Sequence, residues 1–240
     1  MDQNRPNRKL DFYHIPKTGG RYFEVNTLNI VKYDFIKNGI PIKDKFHKYK
    51  DHKSFKFIED NPFAITLLRN PVDRTISHYF YVSQGRQPFS GNIKIDKKNF
   101  FDYIEKENHS LHNFQAKSIC NQKYEYFVID DNVKDIVIDN NLIKDRLSKI
   151  NILIKTEDID LNLCNNVLRY IYKYFDVNYK KQLDNIELNA ESFKNEKSNE
   201  MRQSLTKSER SIIEGYMEVD MEIYETSKFF AIDIDSTNNG

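Results

Sequence analysis

The chain has 240 residues, of which 39% are hydrophobic, 13% aromatic and 30% charged, so it can build a packed core and is not disordered throughout. Its formal net charge of +1 excludes a generally basic nucleic-acid coat and an acidic tail protein. No apolar run reaches the roughly 18 residues of a membrane span. The N-terminal MDQNRPNRKLDF has no apolar secretory core, and Cys120 and Cys164 are too few for a disulfide framework. These features predict a cytoplasmic chain with reduced core thiols and no nucleic-acid partner.

In chain order, residues 1–8 and 235–240 read as loose polar tails around one domain spanning 9–234. Leu10–Ile15 reads as a buried strand. Residues 21–37 read as a helix with Val25, Leu28, Val31 and Phe35 on one face and Asn38-Gly39 as its stop. Phe63–Leu68 (FAITLL) is a second buried strand, and Val72–Ser83 a helix, followed by a loop marked by Gly85, Pro88 and Gly91. Tyr126–Ile129 and Ile150–Ile154 are further strand-type runs. Helical patterns lie near 99–119, 133–147, 158–175 and 206–228, the last with Ile212, Tyr216, Val219 and Ile223 in one stripe. Residues 191–202 are polar and read as a loop or lid. Strands alternating with helices predict an α/β domain with a mostly parallel sheet covered on both faces.

Two segments have the chemistry of anion sites. In FYHIPKTGGRYFEV a strand runs straight into a helix, and Gly19-Gly20 let the backbone turn tightly. The helix start offers unpaired amides, Lys17 a charge and Thr18 a hydroxyl. The order Lys-Thr-Gly-Gly is not that of a Walker A motif, which places glycine before Lys-Ser/Thr. His14 reads as a strand residue. In FAITLLRNPVDRTISHYFYV, Arg69 follows the strand, Asn70 caps the helix, and Pro71 and Asp73 suit its first turn. A guanidinium there suits a phosphate, and Ser77 adds a hydroxyl two turns along. Together the segments predict one ligand with two separated anionic groups.

As a pair, HIPKTGG and LLRNPVDRTISHYFYV resemble the signatures of the carbohydrate sulfotransferases, the group that contains the heparan sulfate 2-O- and 6-O-sulfotransferases and their prokaryotic and viral relatives. The resemblance implies a P-loop-NTPase-like three-layer α/β domain whose central sheet is flanked by helices. It implies a donor, 3′-phosphoadenylyl sulfate (PAPS), and no metal. The 5′-phosphosulfate would be held by Pro16, Lys17, Thr18, Gly19, Gly20 and Arg21, and the 3′-phosphate by Arg69 and Ser77. Arg21 and Tyr22 stand where the family usually has Thr or Ser, and Asn70 where Asp is commoner. Weaker echoes are HNFQAKSIC (112–120), INILIKTEDID (150–160), LNAESFK (188–194) and the acidic helix ending MEVDMEIYETS.

Residues 43–56, KDKFHKYKDHKSFK, hold six lysines with Phe46, Tyr49 and Phe55 between them, a local basic patch for an anionic or neutral glycan acceptor. Sulfuryl transfer needs a base, and His47 and His52 lie between the two donor segments. Either can be that base, while Lys17 would stabilise the leaving phosphate. His78 reads as packing. His109 and His112 have a chelating spacing but no third ligand. Two other readings stay open. One is a P-loop kinase-like phosphotransferase, with YEYFVIDD (124–131) supplying acidic residues for Mg²⁺. The other is a non-catalytic glycan- or nucleotide-binding protein.

Overall fold

The computed structural model describes residues 10–37, 54–60, 63–84, 95–106, 111–122, 133, 135–176 and 196–227. Three strands, β1 (Leu10–Tyr13), β2 (Phe63–Leu68) and β3 (Ile152–Lys155), form a parallel sheet in the order β1-β2-β3. Tyr13 lies opposite Thr66, and Leu68 opposite Lys155, so all three strands end at one edge. Central β2 is buried at every residue, which is why it reads as an apolar run broken only by Thr66, whose hydroxyl donates to the Tyr13 carbonyl at 2.7 Å. Alternation sends its side chains to two cores. Ala64 and Leu68 face Phe114, Ile119, Ile143, Leu147 and Ile223. Phe63, Ile65 and Leu67 face Phe23, Leu28, Val31, Val167 and Ile171. Each such large side chain contributes about 1.5–3 kcal/mol by leaving water. The fold is therefore a small parallel sheet between two helical layers.

The layer beside Phe63 comprises α1 (Gly20–Phe23), α2 (Asn29–Lys37) and α7 (Leu161–Tyr174). A π-helical turn, Glu24–Leu28, joins α1 to α2. It widens the spacing, so that Phe23 and Leu28 both point inward while Val25 is 43% exposed, against the expected stripe. The opposite layer comprises α5 (Phe114–Cys120), α6 (Asn140–Ser148) and α10 (Glu218–Thr226). A third core lies off the sheet. It is formed by α3 (Pro71–Ser83), α4 (Lys97–Lys106), α8 (Glu196–Ser204) and α9 (Lys207–Tyr216) around Ile76, Tyr79, Phe100, Met201 and Ile213.

Several boundaries differ from expectation. The 99–119 pattern is two helices, α4 and α5. The 133–147 pattern becomes helix only at Asn140, because Asp139 caps it through Asn141 and Leu142. The 206–228 pattern breaks at Met217, and Ile213, Met217 and Ile223 are buried while Ile212 is 50% exposed. Residues 196–204 are helical, not loop; α8 buries only Ser198 and Met201, a stripe too thin to read in a polar sequence. The expected strand at 126–129, the tails, and residues 38–53 lie outside the described residues. Cys120 and Cys164 are free and buried. Among the described residues, no helix is long and apolar enough to cross a membrane.

Candidate functional site

The two strand-to-helix turns meet at the carboxyl edge of the sheet. In the first, Thr18 is fully buried and folds back, donating both its hydroxyl (2.7 Å) and its amide (3.3 Å) to the Ile15 carbonyl. The hydroxyl proton is thus engaged within the turn. Lys17 (φ 71°) and Gly19 (φ 79°) both take the left-handed conformation that reverses the chain. Gly20 has to be glycine, because a Cβ would lie 2.2 Å from the His14 ring. Gly19, which has no side chain to offer, caps α1, and Tyr22 and Phe23 donate back to its carbonyl. The amides of Gly19 and Gly20 donate to no described residue. The Lys17 ammonium lies over the Tyr81 ring, 4.4 Å from its centre.

In the second turn, Asn70 Oδ1 accepts from the amides of Val72 (3.1 Å) and Asp73 (3.2 Å), and Pro71 fills the first helical position. Gln115 clasps the backbone of Arg69. Its Oε1 accepts from the Arg69 amide at 3.0 Å, and its Nε2 donates to the Arg69 carbonyl at 2.9 Å. The Arg69 guanidinium crosses to the first turn and donates Nη1 to the Lys17 carbonyl at 3.1 Å. Its Nε is buried with no hydrogen-bond partner among the described residues. Burial, and secondarily Arg202, lowers the Arg69 pKa, while Asp73 and Glu157 oppose the shift. Asp73 itself pairs with Arg202 at 3.4 Å. Ser77 is half-buried on α3.

Beneath the turns, Arg74 is 1% exposed, donates Nε to the Pro16 carbonyl at 3.2 Å, and stacks over Phe114 at 3.5 Å. Burial pulls its pKa down to about 9. The charge that most opposes this shift is Asp220, also 1% exposed, whose two oxygens accept from the amides of Gln115 (3.0 Å) and Ala116 (2.7 Å). In return Asn113 Oδ1 accepts from Val219 (2.9 Å) and Asp220 (3.1 Å), so α5 and α10 cap one another. Burial raises the Asp220 carboxyl to about 6, against the pull of those amides, Arg74 and Lys117. At the end of β3, the Thr156 hydroxyl lies 2.6 Å from the Thr18 carbonyl and 3.0 Å from that of Leu68. Glu157 accepts from the Asn70 amide at 3.1 Å and from the Tyr224 hydroxyl at 3.0 Å.

Of the sequence-predicted residues, Pro16, Lys17, Thr18, Gly19, Gly20 and Arg69 are brought together, Ser77 sits on the helix that begins there, and Arg21 is exposed. His47 and His52 lie outside the described residues, as does His109. His78 is buried against Tyr103 (Nε2 to Oη 3.1 Å), and burial holds its pKa well below the usual histidine value. His112 stacks on Tyr216 at 4.4 Å. No group of metal-ligating side chains occurs among the described residues. Arg74, Gln115, Thr156, Glu157 and Asp220 join the two turns, a role that no motif visible in the sequence assigns to them. Among the four acids of α10, Asp220 is the one that is buried. Compared with models of known protein families and with curated proteins, the chain matches none of them.

Proposed function

We propose that the protein is a PAPS-dependent sulfotransferase acting on a hydroxyl of a carbohydrate. The observation that carries this reading is the meeting of the two turns: open glycine amides and a lysine on one, a half-buried arginine reaching it from the other. Such a site suits a ligand with two anionic groups held a short distance apart. The first turn, with Lys17, takes the 5′-phosphosulfate, and Arg69 with Ser77 takes the 3′-phosphate. The acceptor oxygen bonds to sulfur as the bond from sulfur to the phosphate oxygen breaks. The acceptor proton passes to His47 or His52, and Lys17 supports the charge left on the phosphate. The resemblance of the two motifs to carbohydrate sulfotransferases supports the same assignment.

The test has two arms. Adenosine 3′,5′-bisphosphate without Mg²⁺ should stabilise the protein against heat, and sulfate should pass from labelled PAPS to a member of a glycan panel. Replacing the correct histidine by alanine should cut turnover by roughly 10²–10⁴ with donor affinity kept. Stabilisation only by ATP with Mg²⁺ would mark a phosphotransferase instead. Binding of the bisphosphate without transfer to any glycan would mark a non-catalytic binder.

A further inference from the structure

The two turns belong to different strands, and one side chain touches both. Thr156, the first residue after β3, places its hydroxyl between the Thr18 carbonyl of the first turn (2.6 Å) and the Leu68 carbonyl at the head of the second (3.0 Å). A hydroxyl has one proton, so the two carbonyls share it and are held within reach of a single oxygen. The methyl of the same side chain lies against Gly19, close enough that a Cβ there would sit 2.8 Å from it. The next residue, Glu157, binds the Asn70 amide at 3.1 Å. The end of β3 is thus fastened to both turns at once, alongside the direct bonds from Arg69 to the Lys17 carbonyl and from Arg74 to that of Pro16.

We propose that Thr156 is a positioning residue that sets the separation of the two anion sites, and so selects a ligand bearing two anionic groups over one bearing a single group. The inference rests on the two-site reading above. A carbon in place of the hydroxyl needs about 3.3–3.6 Å to a carbonyl oxygen. Thr156→Val therefore pushes the two turns apart by several tenths of an ångström and leaves both carbonyls without this donor. A ligand spanning both sites feels that change, and a ligand held by one site feels little of it.

The test is calorimetric titration with adenosine 3′,5′-bisphosphate and adenosine 5′-phosphate. Wild type should prefer the bisphosphate. Thr156→Val should reduce that preference about tenfold, chiefly by weakening the bisphosphate, since small misplacements cost binding steeply. Thr156→Ser keeps the hydroxyl and should retain the wild-type preference within about twofold, and it keeps the test decisive if the valine variant does not fold. Equal losses for both ligands in Thr156→Val, an unchanged preference there, or a lost preference in Thr156→Ser would each overturn the assignment. A wild type with no preference for the bisphosphate would instead overturn the two-site reading itself.

Discussion

At the end of β1, the helix starts from a glycine without a side-chain cap, and the amides of Gly19 and Gly20 donate to no described residue. At the end of β2, Asn70 already occupies the amides of Val72 and Asp73, and Glu157 that of Asn70 itself. The same strand-to-helix geometry is therefore left open in one place and closed in the other. The first turn leaves backbone amides open, and its two glycines are fixed by space: the His14 ring on one side, Thr156 on the other. The second turn keeps its backbone satisfied and offers a side chain, Arg69, whose main chain is locked by Gln115. A ligand at the first site depends on how the chain runs, and at the second on which residue it carries.

The widest break should come from the scaffold that both share. Asp220→Ala strips the amides of Gln115 and Ala116 and leaves Arg74 buried without its counter-charge, which should cost about 3–5 kcal/mol in urea unfolding. A loss below about 1 kcal/mol would separate the two turns from α10. The same carboxyl gives a pH signature. Its pKa is raised from 3.8 to about 6 in the folded chain, so the folded state holds the proton more tightly than the unfolded one. That contribution is complete below pH 3.8 and is lost as pH rises through about 6. The stability of Asp220→Asn relative to wild type should therefore climb across this window.

Arg69→Ala sharpens the contrast from the side-chain end. It should weaken adenosine 3′,5′-bisphosphate by about 1.5–3 kcal/mol and adenosine 5′-phosphate much less, read by titration. Equal losses would place Arg69 in the first site only. Gly20→Ala attacks the backbone end: the new methyl meets the His14 ring at 2.2 Å, and overpacking of this kind costs about 1–3 kcal/mol. Adenosine 5′-phosphate should then bind poorly, and normal binding with normal stability would show that the turn is not built as described. Asn70→Ala should cost least, about 1 kcal/mol of stability from the lost cap. Ligand preference should stay as in wild type, because those amides face the asparagine and not the ligand.

What could be read in advance follows from how far each signal travels along the chain. FAITLL is buried on both faces and announces β2 by itself, and Asn70-Pro71 announces the start of α3. Lys17 and Arg69 were legible because each sits in a local strand-to-helix pattern. The π-helical turn at Glu24–Leu28 was not, since it inserts a residue into a stripe that otherwise looks regular. Nor was α8, whose only large buried apolar side chain is Met201. Thr156, Gln115 and Asp220 act across separations of 138, 46 and 105 residues, and no local spacing carries such a partner.

The mutual capping of α5 and α10 also has a consequence in time. The Gln115 amide and the Asp220 carboxylate that accepts from it are 105 residues apart. At a synthesis rate of about 5–20 residues per second, the α5 amides precede that carboxylate by roughly 5–20 s. During that interval both strand-to-helix turns have already left the ribosome, yet Arg74 has no Asp220 to offset its burial beneath Pro16. The nascent chain therefore holds the sequence of its two turns well before it can hold their shape. A ribosome stalled short of residue 218 should carry a chain that adenosine 3′,5′-bisphosphate does not protect from protease.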